Sequence, residues 1–359
     1  MEYVLFLTYN CNLKCKYCFA NEIVNNKNYE LVISDSQLNS TIEYIRRDID
    51  RRKAIQNFIV FYGGEPTLVP HIIEEIINRT NDLKIKYILY TNGVLINKLP
   101  LTIIKFVNTV LISIDGEKAT QDFFRGIGTF DQIIFNAKIL KENNKNIIAR
   151  LTYDEGSDIY KAVIVLENKF DALYWQIVSK SKFNDSNQFL KNYSEQIQNL
   201  LTHWINKLEQ GIVINIIPFQ IVLEVIIKKE KNNFFKCGCG HDLQAIDISG
   251  NVYLCDEYIG NKDRIIGNTN SEDYIALDNK ISINIFGDCR TCQYLHICSG
   301  RCRKCLEYNS KEQIKTYCEM TKILIDAIYY RYNDIVSACS SFNLDRIFYK
   351  GEYLTELIP

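Results

Sequence analysis

Cys11, Cys15 and Cys18 lie in the run CNLKCKYCF, with the spacing C-x3-C-x2-C. Three thiolates on one short loop can ligate three irons of a [4Fe–4S] cube and leave the fourth without a protein ligand. An open iron of that kind can chelate a small molecule and pass it an electron. A zinc knuckle and a chance grouping of buried cysteines are the alternatives. Zinc sites, however, use two C-x2-C pairs or mix cysteine with histidine, and the chain has only four histidines. A second group lies near the other end. Cys289, Cys292, Cys298 and Cys302 read C-x2-C-x5-C-x3-C, with Cys237, Cys239 and Cys255 before them and Cys318 after. Because C-x2-C is also a zinc pair, a zinc ribbon stays open for this region. The thirteen cysteines are odd in number, and none falls between Cys18 and Cys237. Extracellular disulfides fit this distribution poorly. Metal or cluster ligation in a reducing cytoplasm fits it better.

These loops need elements to position them. The 359 residues suffice for more than one domain, and a formal net charge of −1 gives no field favouring nucleic acid or an anionic membrane. The apolar start MEYVLFLTYNC lacks a basic n-region and a cleavage site, so it reads as a buried first strand rather than a signal peptide. The richest apolar stretch is broken by Asn215, Pro218, Gln220 and Glu224, so no membrane span is expected. Apolar runs at EYVLFLTY, NFIVFYGG, KYILYTNG, TVLISIDG, NIIARLTY and ALYWQIVS read as six strands. Helical patterns separate them. Ser34 and Gln37 suit a capping box, and Pro70 suits a first helical turn. Alternating β and α segments predict a parallel sheet with right-handed crossovers. Six units make an open or partial barrel, and chemistry gathers at the carboxyl ends of its strands. The first cysteine loop, GGE, TNG and SIDG all fall there. Residues 191–211 suggest one long amphipathic bridging helix, and from Phe235 to Cys318 cysteines, glycines and turn residues dominate. The segment ILIDAIYYRYNDIV is expected to be helical.

C-x3-C-x-aromatic-C at the end of a first strand resembles the radical S-adenosylmethionine (SAM) enzymes. Tyr17 fills the aromatic slot, where the family uses backbone to approach the adenine. Gly63-Gly64-Glu65 matches the segment that binds the methionine amino group: glycines allow close backbone approach, and a carboxylate fixes an ammonium. Thr91-Asn92-Gly93 and the Ser113–Gly116 run, with Ser113 and Asp115, resemble the strand ends around the nucleoside and carboxylate. Arg125 resembles the arginine that pairs with the SAM carboxylate, a task suited to a guanidinium fork. Taken singly, Gly-Gly, TNG and Asp-Gly are ordinary turn signals. Here they occur in order, each at a strand end.

The C-terminal pattern resembles the SPASM extension, which carries two auxiliary iron–sulfur clusters. By that resemblance Cys289, Cys292, Cys298 and Cys318 hold one cluster. Cys255 and Cys302, with Cys237 and/or Cys239, hold the other; the C-x-C spacing is tighter than the family's, and an open iron that accepts substrate stays possible in this reading. Cys305 and Cys339 have no place in the pattern, and Cys339 reads as a small buried hydrophobe. Asp256, after Cys255 in YLCDEY, resembles the catalytic base of anaerobic sulfatase-maturating enzymes; a solvated strand-end aspartate is the alternative.

The resemblance implies an α/β fold: a partial (β/α)6 TIM-like barrel over 1–190, a bridging helical region over 191–234, a SPASM domain over 235–325, and a C-terminal helix and tail over 326–359. It implies SAM bound at the open iron, reductive cleavage to methionine and a 5′-deoxyadenosyl radical, and hydrogen abstraction from a peptide or protein substrate. An external one-electron donor of flavodoxin or ferredoxin type is expected; because the first strand starts too early for a fused leader-binding domain, either a separate leader-binding protein supplies that function or the leader is bound elsewhere. Two extra clusters suit net oxidation, so the first expectation is a thioether or carbon–carbon crosslink in a ribosomally made peptide. The alternatives are oxidation of a sulfatase cysteine or serine to formylglycine and, from another class, a zinc-stabilised non-catalytic binding protein.

Overall fold

The computed structural model describes residues 1–18, 31–178, 183–229, 237–273, 275, 277, 287–340 and 342–351. The composition change at Phe235 lies outside them. The chain divides into two compact units, residues 1–113, 121–147 and 238–280, and residues 114–120, 148–237 and 281–359.

The first unit is built on β1 (Glu2–Thr8), β2 (Asn57–Gly63), β3 (Ile85–Thr91) and β4 (Val107–Ser113), with helices α1 (Asp35–Arg52), α2 (Pro70–Thr80) and α3 (Leu101–Phe106) between them. These strands pair in parallel, with Tyr3 opposite Ile59, Ile59 opposite Tyr87, and Ile88 opposite Thr109. Tyr3 to Leu7 are all buried, so β1 carries apolar residues toward both faces, as a strand covered on both sides requires. The helix starts follow their caps. Ser34 Oγ accepts the N–H of Gln37 at 3.3 Å, and Pro70 opens α2 where its missing N–H costs nothing. The return bond that would complete the capping box is not made. Gln37 Oε1 accepts instead from Asn270 Nδ2 at 3.1 Å, while its Nε2 donates to Thr269 Oγ1 at 2.7 Å.

Thr269 follows three short strands that the sequence does not announce: β7 (Leu243–Ile246), β8 (Asn251–Tyr253) and β9 (Gly267–Asn268). β7 pairs in parallel with β1, Glu2 opposite Leu243, and β8 and β9 follow antiparallel. Within this unit the strand order is β4-β3-β2-β1-β7-β8-β9. Tyr44 Oη, on α1, donates to Gln244 Oε1 at 2.6 Å and pins β7 from the helix side.

In the second unit β5 (Asn146–Tyr153) and β6 (Ala172–Ile177) run parallel, from Ile148 opposite Ala172 to Tyr153 opposite Ile177, with α6 (Ile159–Leu166) between them. They bring the parallel strands that precede β7 to the six expected. The long helix α7 spans Ser186–Glu209, beginning five residues before the sequence expectation because Asp185 caps it, accepting the Gln188 N–H at 3.0 Å. Its face buries Tyr193 and Trp204, and Phe219 of α8 (Ile217–Lys228) packs edge-on against Trp175 and Trp204. The indole N–H groups are satisfied: Trp175 donates to Tyr193 Oη and Trp204 to the Ile214 carbonyl. After α9 (Leu295–Cys298) and α10 (Arg303–Tyr308), the predicted C-terminal helix is two helices, α11 (Lys311–Tyr330) and α12 (Tyr332–Ala338), with Arg331 between them. No helix of the described residues is long and apolar enough to cross a membrane.

Candidate cluster and cofactor site

The first cysteine loop is held by the strand ends beside it. Gly63 ends β2 at φ +136°, and a Cβ there would fall 2.3 Å from the Thr8 carbonyl oxygen. A Cβ on Gly64 would fall 2.4 Å from the carbonyl of Asn10 and 2.5 Å from that of Tyr9. Only glycine permits this approach. It lets Gly64 N–H donate to Thr8 O and Glu65 N–H donate to Asn10 O, both at 2.8 Å. The GGE segment is therefore stitched to the backbone that enters Cys11.

Glu65 is buried, with about 1% of its surface exposed, yet its carboxylate is well satisfied. Oε1 accepts from the Thr67 N–H at 3.1 Å, Thr67 Oγ1 at 2.5 Å and Thr91 Oγ1 at 2.7 Å. Oε2 accepts from the Asn92 N–H at 2.7 Å. Burial raises its pKa and these four bonds pull the other way. One carboxylate thus joins the ends of β2 and β3, and Oε2, with one bond shown, has the capacity to accept a further donor such as an ammonium. Thr67 and Thr91 as its partners escaped the sequence reading, although Thr91 stands inside the quoted TNG motif and Thr67 lies two residues beyond GGE.

Asn92 turns back onto the loop. Its Nδ2 lies 2.8 Å from Asn12 Oδ1 and 3.8 Å from Cys11 Sγ, and its Oδ1 accepts the Val94 N–H. Loss of solvation raises the Cys11 pKa, while the Leu13 N–H and Asn92 Nδ2 oppose the rise; Cys18 lies close enough to contribute. On the other side the Lys16 N–H donates to the Phe124 carbonyl at 3.0 Å, and the Tyr17 ring packs on Phe124. The buried Arg125 ends α4 (Lys118–Arg125) with its guanidinium 5.3 Å from the Tyr17 ring centre. Cys11, Cys18, Tyr17, Gly63, Gly64, Glu65, Asn92 and Arg125 thus belong to one constellation in the first unit. Ser113 ends β4, at the same end of its strand. In the second unit, the buried Asp115 accepts the Thr152 N–H at 3.2 Å, so part of its carboxylate fixes the turn to β5.

The C-terminal cysteines form a second constellation in the second unit. Cys289 lies in a turn at 287–291, Cys298 ends α9, and Cys318 projects from α11. Burial pushes the Cys298 thiol up to about 11 against the pull of Arg301, with Cys318 and Cys289 close enough to raise it further. Burial also raises Cys318, again opposed by Arg301, and Cys289 and Cys305 act on it. Lys322 feels both Cys292 and Cys318. Arg301 is fixed by bonds to Tyr317 O and Thr321 Oγ1 at 2.9 and 3.1 Å. Four thiols with two cations beside them fit an anionic cluster. Cys305, left out by the sequence pattern, is electrostatically adjacent to this group. Among the described residues no three His, Cys, Asp or Glu side chains converge on a point suited to one metal ion; a cube spreads its ligands over four irons. Cys339 is buried at the end of α12, as a small hydrophobe would be.

Cys239 and Cys255 are both buried in the first unit, where Cys239 makes a bridge to Leu243 and Cys255 follows β8. Asp256 does not join the loop at Cys11. β8 runs antiparallel to β7, so Asp256 emerges at the amino end of β1, where it acts on the carboxylate of Glu2.

Residues 5–156 match the radical SAM superfamily. The chain is 27% identical over 350 residues to a cysteine-type anaerobic sulfatase-maturating enzyme of Clostridium perfringens, covering 87% of this chain and 91% of that protein. It is 25% identical to the radical SAM cyclopropyl synthase TigE of Paramaledivibacter caminithermalis, covering 92% of this chain and 74% of that one. Its fold matches native anSMEcpe with bound AdoMet and the Cp18Cys peptide, at a TM-score of 0.76 and 21% identity, over 95% and 99% of the two chains. The chain therefore carries a radical SAM domain, whose cofactors are a [4Fe–4S] cluster and SAM, and it is an enzyme. The zinc-stabilised, non-catalytic alternative is set aside.

Proposed function

We propose that this enzyme oxidises a side chain of a peptide or protein substrate by removing two hydrogens. The observation that carries the reading is the stitched loop. GGE and TNG are fastened to the backbone and side chains around Cys11, as a cofactor held between them requires. The relation along most of the chain to a sulfatase-maturating enzyme, and the likeness of fold to anSMEcpe with its bound Cp18Cys peptide, support the substrate class.

In this reading Cys11, Cys15 and Cys18 hold a [4Fe–4S] cluster, and Cys289, Cys292, Cys298 and Cys318 hold an auxiliary one. When bound, the N-terminal cluster and SAM together supply a one-electron reductive cleavage that yields an oxidant for C–H bonds. Glu65 Oε2 receives the SAM ammonium, and Gly63 and Gly64 bring backbone close to it. Arg125 receives the carboxylate. Ser113 and Asp115 border the nucleoside, and Tyr17 lends backbone to the adenine. A flavodoxin- or ferredoxin-type donor supplies electrons, and Asp256, at the amino end of β1, leaves the substrate's proton to an acceptor nearer Cys11.

Two products satisfy this oxidation. The carbon–carbon bond of a crosslink in a ribosomally made peptide is in keeping with the relation, along 92% of this chain, to TigE, a cyclopropyl synthase whose product also needs a new carbon–carbon bond. Formylglycine is supported by the nearly end-to-end relation to a cysteine-type maturase; loss of two hydrogens from a cysteine gives a thioaldehyde, which water converts to the aldehyde with release of hydrogen sulfide. Anaerobic turnover with reductant and SAM separates them by mass spectrometry. An aldehyde at the target residue of a sulfatase peptide selects formylglycine; an internal crosslink in a precursor peptide selects the other. Absence of both products, with SAM still cleaved, would overturn the peptide reading.

A further inference from the structure

Asn92 stands in a motif whose resemblance assigns it to the small-molecule cofactor, yet its side chain is already engaged elsewhere. Nδ2 carries two hydrogens; one faces Asn12 Oδ1 at 2.8 Å and the other Cys11 Sγ at 3.8 Å. Oδ1 accepts the Val94 N–H at 3.0 Å. The backbone is fixed as well, because the Asn92 N–H donates to the buried Glu65 carboxylate at 2.7 Å. About 7% of the residue is exposed. The next residue, Gly93, at φ +77°, gives its carbonyl to Asn136 Nδ2 at 2.7 Å. Its missing Cβ leaves room against Ile112, which a Cβ would approach to 2.7 Å. The amide is therefore aimed from a rigid, buried turn at the first cysteine of the loop.

An N–H directed at a cluster thiolate stabilises the reduced, more negative form and raises the reduction potential. We propose that Asn92 is a positioning residue for the cysteine loop: it acts through Cys11 and Asn12, sets the potential of the cluster held there, and does not grip SAM. This rests on the assignment of the N-terminal cluster to Cys11, Cys15 and Cys18.

The test is Asn92→Asp, nearly the same shape, which keeps the acceptor for Val94 and the backbone bond to Glu65 but removes both side-chain donors. The anaerobically reconstituted full chain is titrated electrochemically, following by EPR the cluster signal that changes on adding SAM. At a fixed reducing poise the ratio of reduced to oxidised cluster is expected to fall about tenfold, equivalent to about 59 mV for a one-electron couple. The SAM Kd should change by less than about threefold. An unchanged potential with SAM affinity about tenfold weaker would make Asn92 a cofactor ligand and overturn the inference; an unchanged potential with unchanged affinity would overturn it too. Asn92→Ala, which introduces no charge, is measured alongside. Should the aspartate variant fail to hold iron, the alanine variant decides by the same readings. If both lose only the SAM-responsive cluster, the positioning role stands. If the unsubstituted chain shows no SAM-responsive cluster at all, the fault lies with the cluster assignment and not with Asn92.

Discussion

Glu65 N–H donates to the carbonyl of Asn10 at 2.8 Å, so the acidic end of the GGE segment is bonded to the residue immediately before Cys11. Two strand ends far apart in sequence thereby share one backbone seam. The cysteine loop takes its shape from a neighbour that carries no cysteine.

Gly64→Ala puts a methyl group 2.4 Å from the Asn10 carbonyl, inside contact distance of backbone that cannot swing away. The variant is expected to lose the SAM-responsive cluster while keeping iron at the C-terminal cysteines. Iron and sulfide analysis with EPR checks this; a full complement of SAM-responsive cluster would contradict the seam.

Glu65→Gln keeps the volume but replaces one acceptor with a donor among four donors. At least one hydrogen bond becomes a donor–donor contact. The expected cost is about 1–3 kcal/mol of stability, with a SAM Kd about tenfold or more higher. Chemical denaturation and a SAM titration measure the two effects separately.

Arg125→Lys leaves a cation but removes the planar fork beside Tyr17. SAM affinity is expected to fall about tenfold, which is about 1.4 kcal/mol, with little change in unfolding midpoint. Wild-type affinity would remove Arg125 from the carboxylate site.

Cys298→Ala should lower the iron content by about four per chain and leave SAM cleavage measurable, because it belongs to the C-terminal constellation. Complete loss of SAM cleavage with the SAM-responsive EPR signal intact would mean that this constellation gates the first step.

Glu2 gives a pH signature. Burial, with Asp256 and Asp242 nearby, raises its carboxyl to about 8. The folded chain therefore keeps a proton that the unfolded chain gives up above about 4.5. Stability should fall as pH rises between those values and level off beyond about 8. Glu2→Gln is expected to flatten this slope and to be the more stable form at pH 9, by about 2 kcal/mol given the partial exposure of the strand end. Denaturant unfolding at pH 6 and pH 9 checks the sign.

The strands that carry the site were legible because each is a short apolar run closed by turn residues, and parallel pairing lined up their carboxyl ends. Ser34 and Pro70 marked helix starts for local reasons that a sequence displays. The partners of Glu65 were not legible. Thr67 and Thr91 look like ordinary turn residues, and only pairing between β2 and β3 brings them together. The reason for Gly64 was equally hidden, since it lies in carbonyls of a different strand. β7, β8 and β9 are four, three and two residues long. Segments so short show no periodicity, and a cysteine- and glycine-rich composition suggested a separate fold where the chain in fact extends the first sheet. Asp256 was legible as a chemical type but not as a place, because its position depends on β8 running back along β7.

That reversal turns β1 into a ruler. Cys11 follows its carboxyl end and Asp256 sits at its amino end, so seven residues of strand separate them, roughly 20 Å at the rise of a parallel strand. One reacting side chain cannot touch both marks, so a proton lost from a residue oxidised beside Cys11 needs an acceptor nearer than Asp256.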